Sequence, residues 1–313
     1  MGMIDDDVPV TDIVMPGSHD SGTYGMLFLG ETQSLSFGDQ MRSGASYFDV
    51  RIRRTGEGEL RFYHGILTSE NGYGDFLSDT VRFLEENPTE FLILDYQHRD
   101  PAGDREFDNT LFSMLLDALG EERILCAPDG MSDLDYVDSL TLGEARGKVL
   151  VTFGADARST DYDFVMVRDS DGGTRAGSVL QSPYDEGNNV QSEEYVNRVF
   201  GEYIAQYSAY GGGICVLQTQ LLAGNDNGFV PQSMEEVHNP NVTAWIKSCK
   251  DDPDLLGDLN IIMRDYLTPR KCIDIIELNK YKNFVAEEHA SAFDALVAAD
   301  DDIADAIVTD GDL

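Results

Sequence analysis

The chain has 313 residues and a mass of 34.6 kDa, and 42% of its residues are hydrophobic. Asp and Glu number 58 against 22 Lys and Arg, a formal charge of −36, which excludes a nucleic-acid binder because phosphate contacts need clustered cations. No run reaches the roughly 18 apolar residues of a membrane span, and the apolar content excludes a disordered chain. A chain this long fits two domains or one α/β barrel. The acidity fits a heavily solvated surface or a saline habitat. The first seven residues carry neither a basic stretch nor an apolar core. The expectation is a secreted protein whose signal peptide has been removed, with a cytoplasmic chain as the alternative. Cys126, Cys215, Cys249 and Cys272 form no CxxC pair, so zinc and a redox motif are not expected. Cys126, Cys215 and Cys272 have apolar neighbours and read as core thiols.

Along the chain, short apolar runs predict strands at 12–15, 47–52, 60–63, 91–96, 148–153, 164–167, 214–219 and 260–264. Several are almost continuously apolar, as strands covered on both faces are. Helical spacing predicts helices at 75–86, 105–119, 193–208, 239–248 and 269–280. The 75–86 helix stops at Asn87-Pro88. The 239–248 helix has Asn239 as its expected cap and Pro240 at its first position. Residues 169–177 and 224–228 read as surface loops, and 300–313 as an exposed acidic tail. The fold class is therefore α/β, a single irregular TIM-type β/α barrel of about eight units, filling 1–313 as one domain.

In such a barrel, the C-terminal strand ends line the active site. The first predicted strand runs into Ser18-His19-Asp20. The second carries Asp49 and Arg51, and the third ends at His64. The fourth ends near Asp95, with Gln97 and His98 beyond. The last ends in Arg264-Asp265-Tyr266. Two histidines, an arginine and several carboxylates on one rim suit phosphodiester cleavage. Histidine titrates near pH 6.5, so one copy serves as base and another as acid. A carboxylate on the far ring nitrogen fixes the tautomer, and an arginine offers a planar fork to phosphate. The chain holds only five histidines, His19, His64, His98, His238 and His289, so two at strand ends carry weight.

Met15-Pro16-Gly17-Ser18-His19-Asp20-Ser21-Gly22-Thr23 resembles the signature of the phosphatidylinositol-specific phospholipase C catalytic domain. Gln40, Gly44 and Tyr47-Phe48-Asp49-Val50-Arg51 resemble its second block, and Tyr63-His64-Gly65 its third. Leu142-Gly143-Glu144-Ala145-Arg146-Gly147-Lys148 and Arg264-Asp265-Tyr266 resemble the bacterial branch. The resemblance runs from about Ile13 to Lys282. It implies His19 as general base toward the inositol 2-hydroxyl, with Asp265 orienting it. It implies Arg51 as the phosphate-binding arginine. It implies His64 as the acid that protonates the departing diacylglycerol oxygen, supported by Asp20. The implied product is inositol 1,2-cyclic phosphate, by a reaction that is formally that of a lyase. The substrate-binding set is Asp49, Gln97 and Tyr195. Gln97 stands where the bacterial pattern has a lysine, and Tyr195 matches the ring-stacking tyrosine only with a one-residue shift. The arginine expected after the fifth strand is absent.

Calcium-using relatives resemble this chain but carry Asn after the first histidine and a carboxylate at the Arg51 position. An arginine there would repel calcium, so no metal and no cofactor are expected. Asp169-Ser170-Asp171-Gly172 opens like an EF-hand loop but lacks the remaining ligands. The sequence has no G-x-S-x-G elbow, no P-loop and no dinucleotide fingerprint. Trp245 reads as a helix-packing residue. Met26, Leu27, Phe28 and Leu29 follow the first histidine and read as a membrane-contact loop, against packing under the rim. The expected partners are phosphatidylinositol or a related inositol lipid at a membrane surface, no nucleic acid, and a monomeric state. The alternatives are another phosphodiesterase on a similar barrel, acting on glycerophosphodiesters or glycosylated inositol lipids, or a catalytically silent lipid-binding module.

Overall fold

A computed structural model of the chain describes residues 1–154, 160–168, 177–182, 193–221 and 228–309, with the side chains of 193–195, 197 and 300–309 set aside. The strands are β1 (Met15–Ser18), β2 (Tyr47–Arg54), β3 (Leu60–His64), β4 (Leu67–Gly72), β5 (Leu92–Asp100), β6 (Val149–Phe153), β7 (Val165–Val167), β8 (Leu180–Gln181), β9 (Ile214–Gln218) and β10 (Ile261–Arg264). Eight of them run parallel in the order β7-β6-β5-β2-β1-β10-β9-β8. One bridging pair, Arg168 with Leu180, links the two ends of this order, so the barrel is nearly closed. β3 and β4 form an antiparallel hairpin that extends from β2 outside the ring.

The strands alternate side chains between two cores. Met15, Tyr47, Ile93, Leu150, Met166, Val216, Ile261 and Met263 fill one apolar cluster. Leu94, Val151 and Phe153 instead pack with Phe76, Phe107 and Phe112, from the helices Tyr73–Glu86 and Arg105–Leu119. Leu217 and Ile262 pack with Phe200 and Trp245, from the helices Glu193–Tyr210 and Pro231–Ser248. Burial on both faces is why β6 reads as five apolar or β-branched residues, all buried. Trp245 meets Phe200 edge-on at 5.0 Å between ring centres. No helix among the described residues is long and apolar enough to cross a membrane.

Several expectations need correction. The first strand lies at Met15–Ser18, three residues beyond 12–15, because Ile13 and Val14 are buried without joining the sheet. The helix expected from Asn239 begins eight residues earlier, at Pro231, and Pro240 lies inside it. Asn239 is not its cap; its side-chain oxygen accepts from Arg264 and Thr243. The helix expected at 269–280 is split into Pro269–Ile276 and Leu278–Tyr281. The expected tail enters a helix, Ala290–Thr309. Cys126 is exposed and Cys215 only half-buried, whereas Cys272 is a core thiol. The expected 169–177 and 224–228 loops lie almost wholly outside the described residues, as does the EF-hand-like start at Asp169.

Candidate active site

Parallel register places the first two site residues. Ser18 pairs with Arg264 across β1 and β10, so the next residues, His19 and Asp265, leave the barrel side by side. His19 N–H donates to Arg264 O at 3.2 Å. The Gln33 amide donates to both His19 O and Arg264 O at 2.9 Å and ties the two strand ends together. His19 Nδ1 then meets Asp265 Oδ1 at 2.6 Å. Lys271 supports this pair from behind, donating to Asp265 O at 2.9 Å and to Glu235 Oε1 at 2.5 Å.

Asp49 and Arg51 stand two apart on β2, so both face the same way. The Arg51 guanidinium binds Asp49 Oδ2 at 2.8 Å and contacts His19 Nε2 at 3.2 Å. It also donates to Gln97 Oε1 at 3.0 Å. Gln97 reaches this position through a register shift: Asp49 pairs with Asp95, but Arg51 pairs with His98. The extra residue on β5 is a bulge, a common way to aim a side chain at a site.

Asp20 follows His19 in a left-handed conformation, φ +45°, which is strained for a residue with a Cβ. Its carboxylate is buried, and Oδ2 faces both histidines, His19 Nε2 at 3.4 Å and His64 Nε2 at 3.6 Å. Arg51 Nε lies 2.7 Å from Oδ1, yet neither oxygen has a well-directed hydrogen bond among the described residues. A buried acceptor left so is costly unless another donor enters. His64 sits at the end of β3 and is half-buried. Its Nδ1–H donates to Gly30 O at 3.0 Å, which leaves Nε2 as the atom facing Asp20. Gly22 lets the loop after Asp20 reach β3: a Cβ there would lie 2.0 Å from the Phe62 ring.

The electrostatics are dominated by burial and by these carboxylates. Burial pushes the His19 pKa down, but Asp20, Asp265 and the hydrogen bond His19 donates to Asp265 outweigh it, and the pKa rises to about 9. Burial pushes Asp265 up, and the neighbouring His19 only partly offsets this. Burial alone would raise Asp49 as well, but the Arg51 guanidinium and His19 hold it below the usual carboxylate range. His19, Asp20 and Asp49 offer metal-ligand atoms within 4.8 Å of one another. The guanidinium of Arg51 already contacts all three residues, so a divalent ion would have to displace it.

The structure thus brings together His19, Asp20, Asp49, Arg51, His64, Gln97 and Asp265. Leu27, Phe28 and Leu29 are exposed by 69%, 61% and 50%, not packed under the rim, and Met26 is half-buried. Tyr195 falls in the first turn of Glu193–Tyr210, and its side chain lies outside the described residues. The sequence reading missed Gln33, Glu235 and Lys271. Glu235 and Lys271 sit on helices with no motif around them, and only the fold shows that Lys271 reaches the Asp265 backbone and holds Glu235 beside it.

No protein-family model matches the chain. Curated relatives do. One is the 1-phosphatidylinositol phosphodiesterase of Staphylococcus aureus strain Newman, 31% identical over 99 residues. That match covers 30% of this chain and about a third, 32%, of the relative. Another is the PI-PLC X domain-containing protein 2 of Mus musculus, 28% identical over 315 residues, covering 87% of this chain and 84% of that protein. Its homologues thus include bacterial phosphatidylinositol phosphodiesterases and PI-PLC X domain-containing proteins. The fold agrees. The phosphatidylinositol-specific phospholipase C of Listeria monocytogenes superposes with a TM-score of 0.70 at 18% identity, over 89% of this chain and 97% of that one. A variant of the Staphylococcus aureus phospholipase gives 0.63 at 19% identity, over 85% and 89%. These solved structures match this chain in fold, a parallel-strand barrel with surrounding helices.

Proposed function

We propose that this chain is a metal-independent phosphatidylinositol phospholipase C, a phosphatidylinositol diacylglycerol-lyase whose catalytic unit is the barrel. The observation that carries this reading is the single buried carboxylate oxygen of Asp20 facing two imidazoles, with the Arg51 guanidinium beside it. The neutral form of His19, a minor fraction near pH 7 because its pKa is raised to about 9, takes the proton of the inositol 2-hydroxyl at Nε2. Asp265 on Nδ1 holds the ring in the tautomer that leaves Nε2 free and stabilises the imidazolium that forms. The 2-oxygen attacks phosphorus, and charge builds on the phosphoryl oxygens. Arg51, held by Asp49, supplies the donors that meet this charge. His64 Nε2, its positive form supported by Asp20, protonates the departing diacylglycerol oxygen. The products are diacylglycerol and inositol 1,2-cyclic phosphate.

Gln97, Asp49 and Tyr195 are the substrate-side residues of this reading. The exposed Leu27-Phe28-Leu29 stretch, which begins eight residues after His19, supports a reading in which these apolar side chains meet lipid. Phosphorus NMR of the product from phosphatidylinositol vesicles, with and without chelator, tests the proposal. A five-membered cyclic phosphate in both samples is the expected result. A non-cyclic product from the first turnover would mean that no neighbouring hydroxyl attacks, and would favour a different phosphodiesterase. No product would favour a lipid-binding module.

A further inference from the structure

His64 stands at the tip of the β3–β4 hairpin, where the chain turns through His64-Gly65-Ile66-Leu67. Gly65 takes φ +55° and Ile66 is 92% exposed, so burial does not anchor this tip. A guanidinium does. Arg53 Nη2 donates to Gly65 O at 3.1 Å. Its Nη1 donates to Ile66 O at 3.3 Å and to Thr68 Oγ1 at 3.2 Å. Its Nε is bound to Asp100 Oδ2 at 2.7 Å, and its plane lies over the Tyr63 ring at 4.4 Å. Arg53 itself is on β2, two residues beyond Arg51, and pairs with Asp100 of β5. One side chain therefore ties Tyr63, just before His64, and Gly65, Ile66 and Thr68, after it, to the two strands that carry Arg51 and Gln97.

We propose that Arg53 is a positioning residue for the reaction: it fixes the turn that aims His64 Nε2 at Asp20 and the leaving oxygen. This rests on the reading of His64 as the general acid. The argument is one of geometry. Only a planar fork reaches two successive carbonyls, a hydroxyl and a carboxylate at once, so a lysine cannot reproduce the set. Among the described residues the His64 ring has one hydrogen bond, to Gly30 O, so it can swing about that contact once the turn loosens. A displacement of about 1 Å in a reacting group can cost on the order of 10² in rate.

The test compares two soluble inositol phosphodiesters, one with an alkyl leaving group and one with a nitrophenyl leaving group. The second leaves without protonation, so a loss of the acid affects it less. Arg53→Ala, Arg53→Lys and His64→Ala are each assayed on both. His64→Ala should lose about 10²–10⁴ on the alkyl substrate and far less on the aryl one. Arg53→Ala should show the same contrast at about 10- to 100-fold, with kcat rather than KM changing. Arg53→Lys keeps the charge and the Tyr63 contact, serves if the alanine variant does not fold, and should fall between. Contrast in His64→Ala but equal losses on both substrates in the Arg53 variants overturn the positioning role alone. No contrast in His64→Ala overturns the acid reading, and this proposal with it.

Discussion

Replacing Asp265 by Asn removes one charge beside His19 and keeps the side-chain shape. In the folded chain His19 titrates at about 9, held there against burial by Asp20 and Asp265. The unfolded value is 6.5. A group whose pKa is raised on folding adds stability that is fully present below the unfolded value and is lost as pH rises through the folded one. For His19 the window runs from 6.5 to about 9, and the difference corresponds to roughly 3 kcal/mol. An opposite charge this close shifts a pKa by about 1–3 units, so the Asn variant should lose roughly half or more of that gradient. Chemical unfolding at pH 6, 7.5 and 9 measures it directly. The parent should lose stability across this range, and the variant should lose distinctly less. Imidazole NMR should show His19 titrating lower in the variant, and turnover should fall by about 10²–10⁴ because the ring loses the charge that fixes its tautomer and stabilises its imidazolium. A variant with the parent's slope and the parent's His19 titration would refute the claim that Asp265 holds the imidazolium.

Other outcomes follow from the same geometry. Chelators should leave turnover unchanged, whereas Arg51→Ala should lower it by about 10²–10³, as removal of a charge-stabilising donor does; inhibition by chelator would sink the metal-free reading. Gly22→Ala must push against the Phe62 ring, an overpacking cost of about 1–3 kcal/mol that a drop in melting temperature would register, and an unchanged melting temperature would contradict it. Met26→Ser with Phe28→Ser should weaken binding to phosphatidylinositol vesicles. For the unmodified chain, binding should strengthen with salt, because −36 repels an anionic surface and the screening length is about 10 Å at 0.1 M. Equal vesicle binding by the double variant would remove the loop from the interface.

The chemistry was legible where residue type and strand position coincide. His19, His64 and Asp265 each follow or end an apolar run, Arg51 lies inside one, and the barrel brings them to one rim. Two kinds of feature stayed hidden. β4 is the polar run Leu-Thr-Ser-Glu-Asn-Gly, an exposed hairpin strand with no alternation to find. β8 has two residues, too few for any period. The Pro231–Ser248 helix shows the limit of local rules, since two prolines ten or fewer residues apart both fit the first helical position and only packing chooses Pro231. The support behind the site was equally invisible. Lys271 acts through the backbone oxygen of Asp265, and Gln33 through two backbone oxygens, so neither leaves a side-chain pattern.

The ring of strands has a weak place, and its position matters for how the molecule breathes. β7 and β8 contribute three residues and two, and among the described residues a single bridging pair, Arg168 with Leu180, joins this side of the ring. β1, β2 and β10, which position His19, Arg51 and Asp265, lie in the middle of the strand order, far from that join. Amide protons of β7 and β8 should therefore exchange with solvent by local opening well before those of β1 and β10. A gap can form on one side of the barrel while His19, Arg51 and Asp265 keep their spacing on the other, so motion at the seam need not be motion at the candidate site.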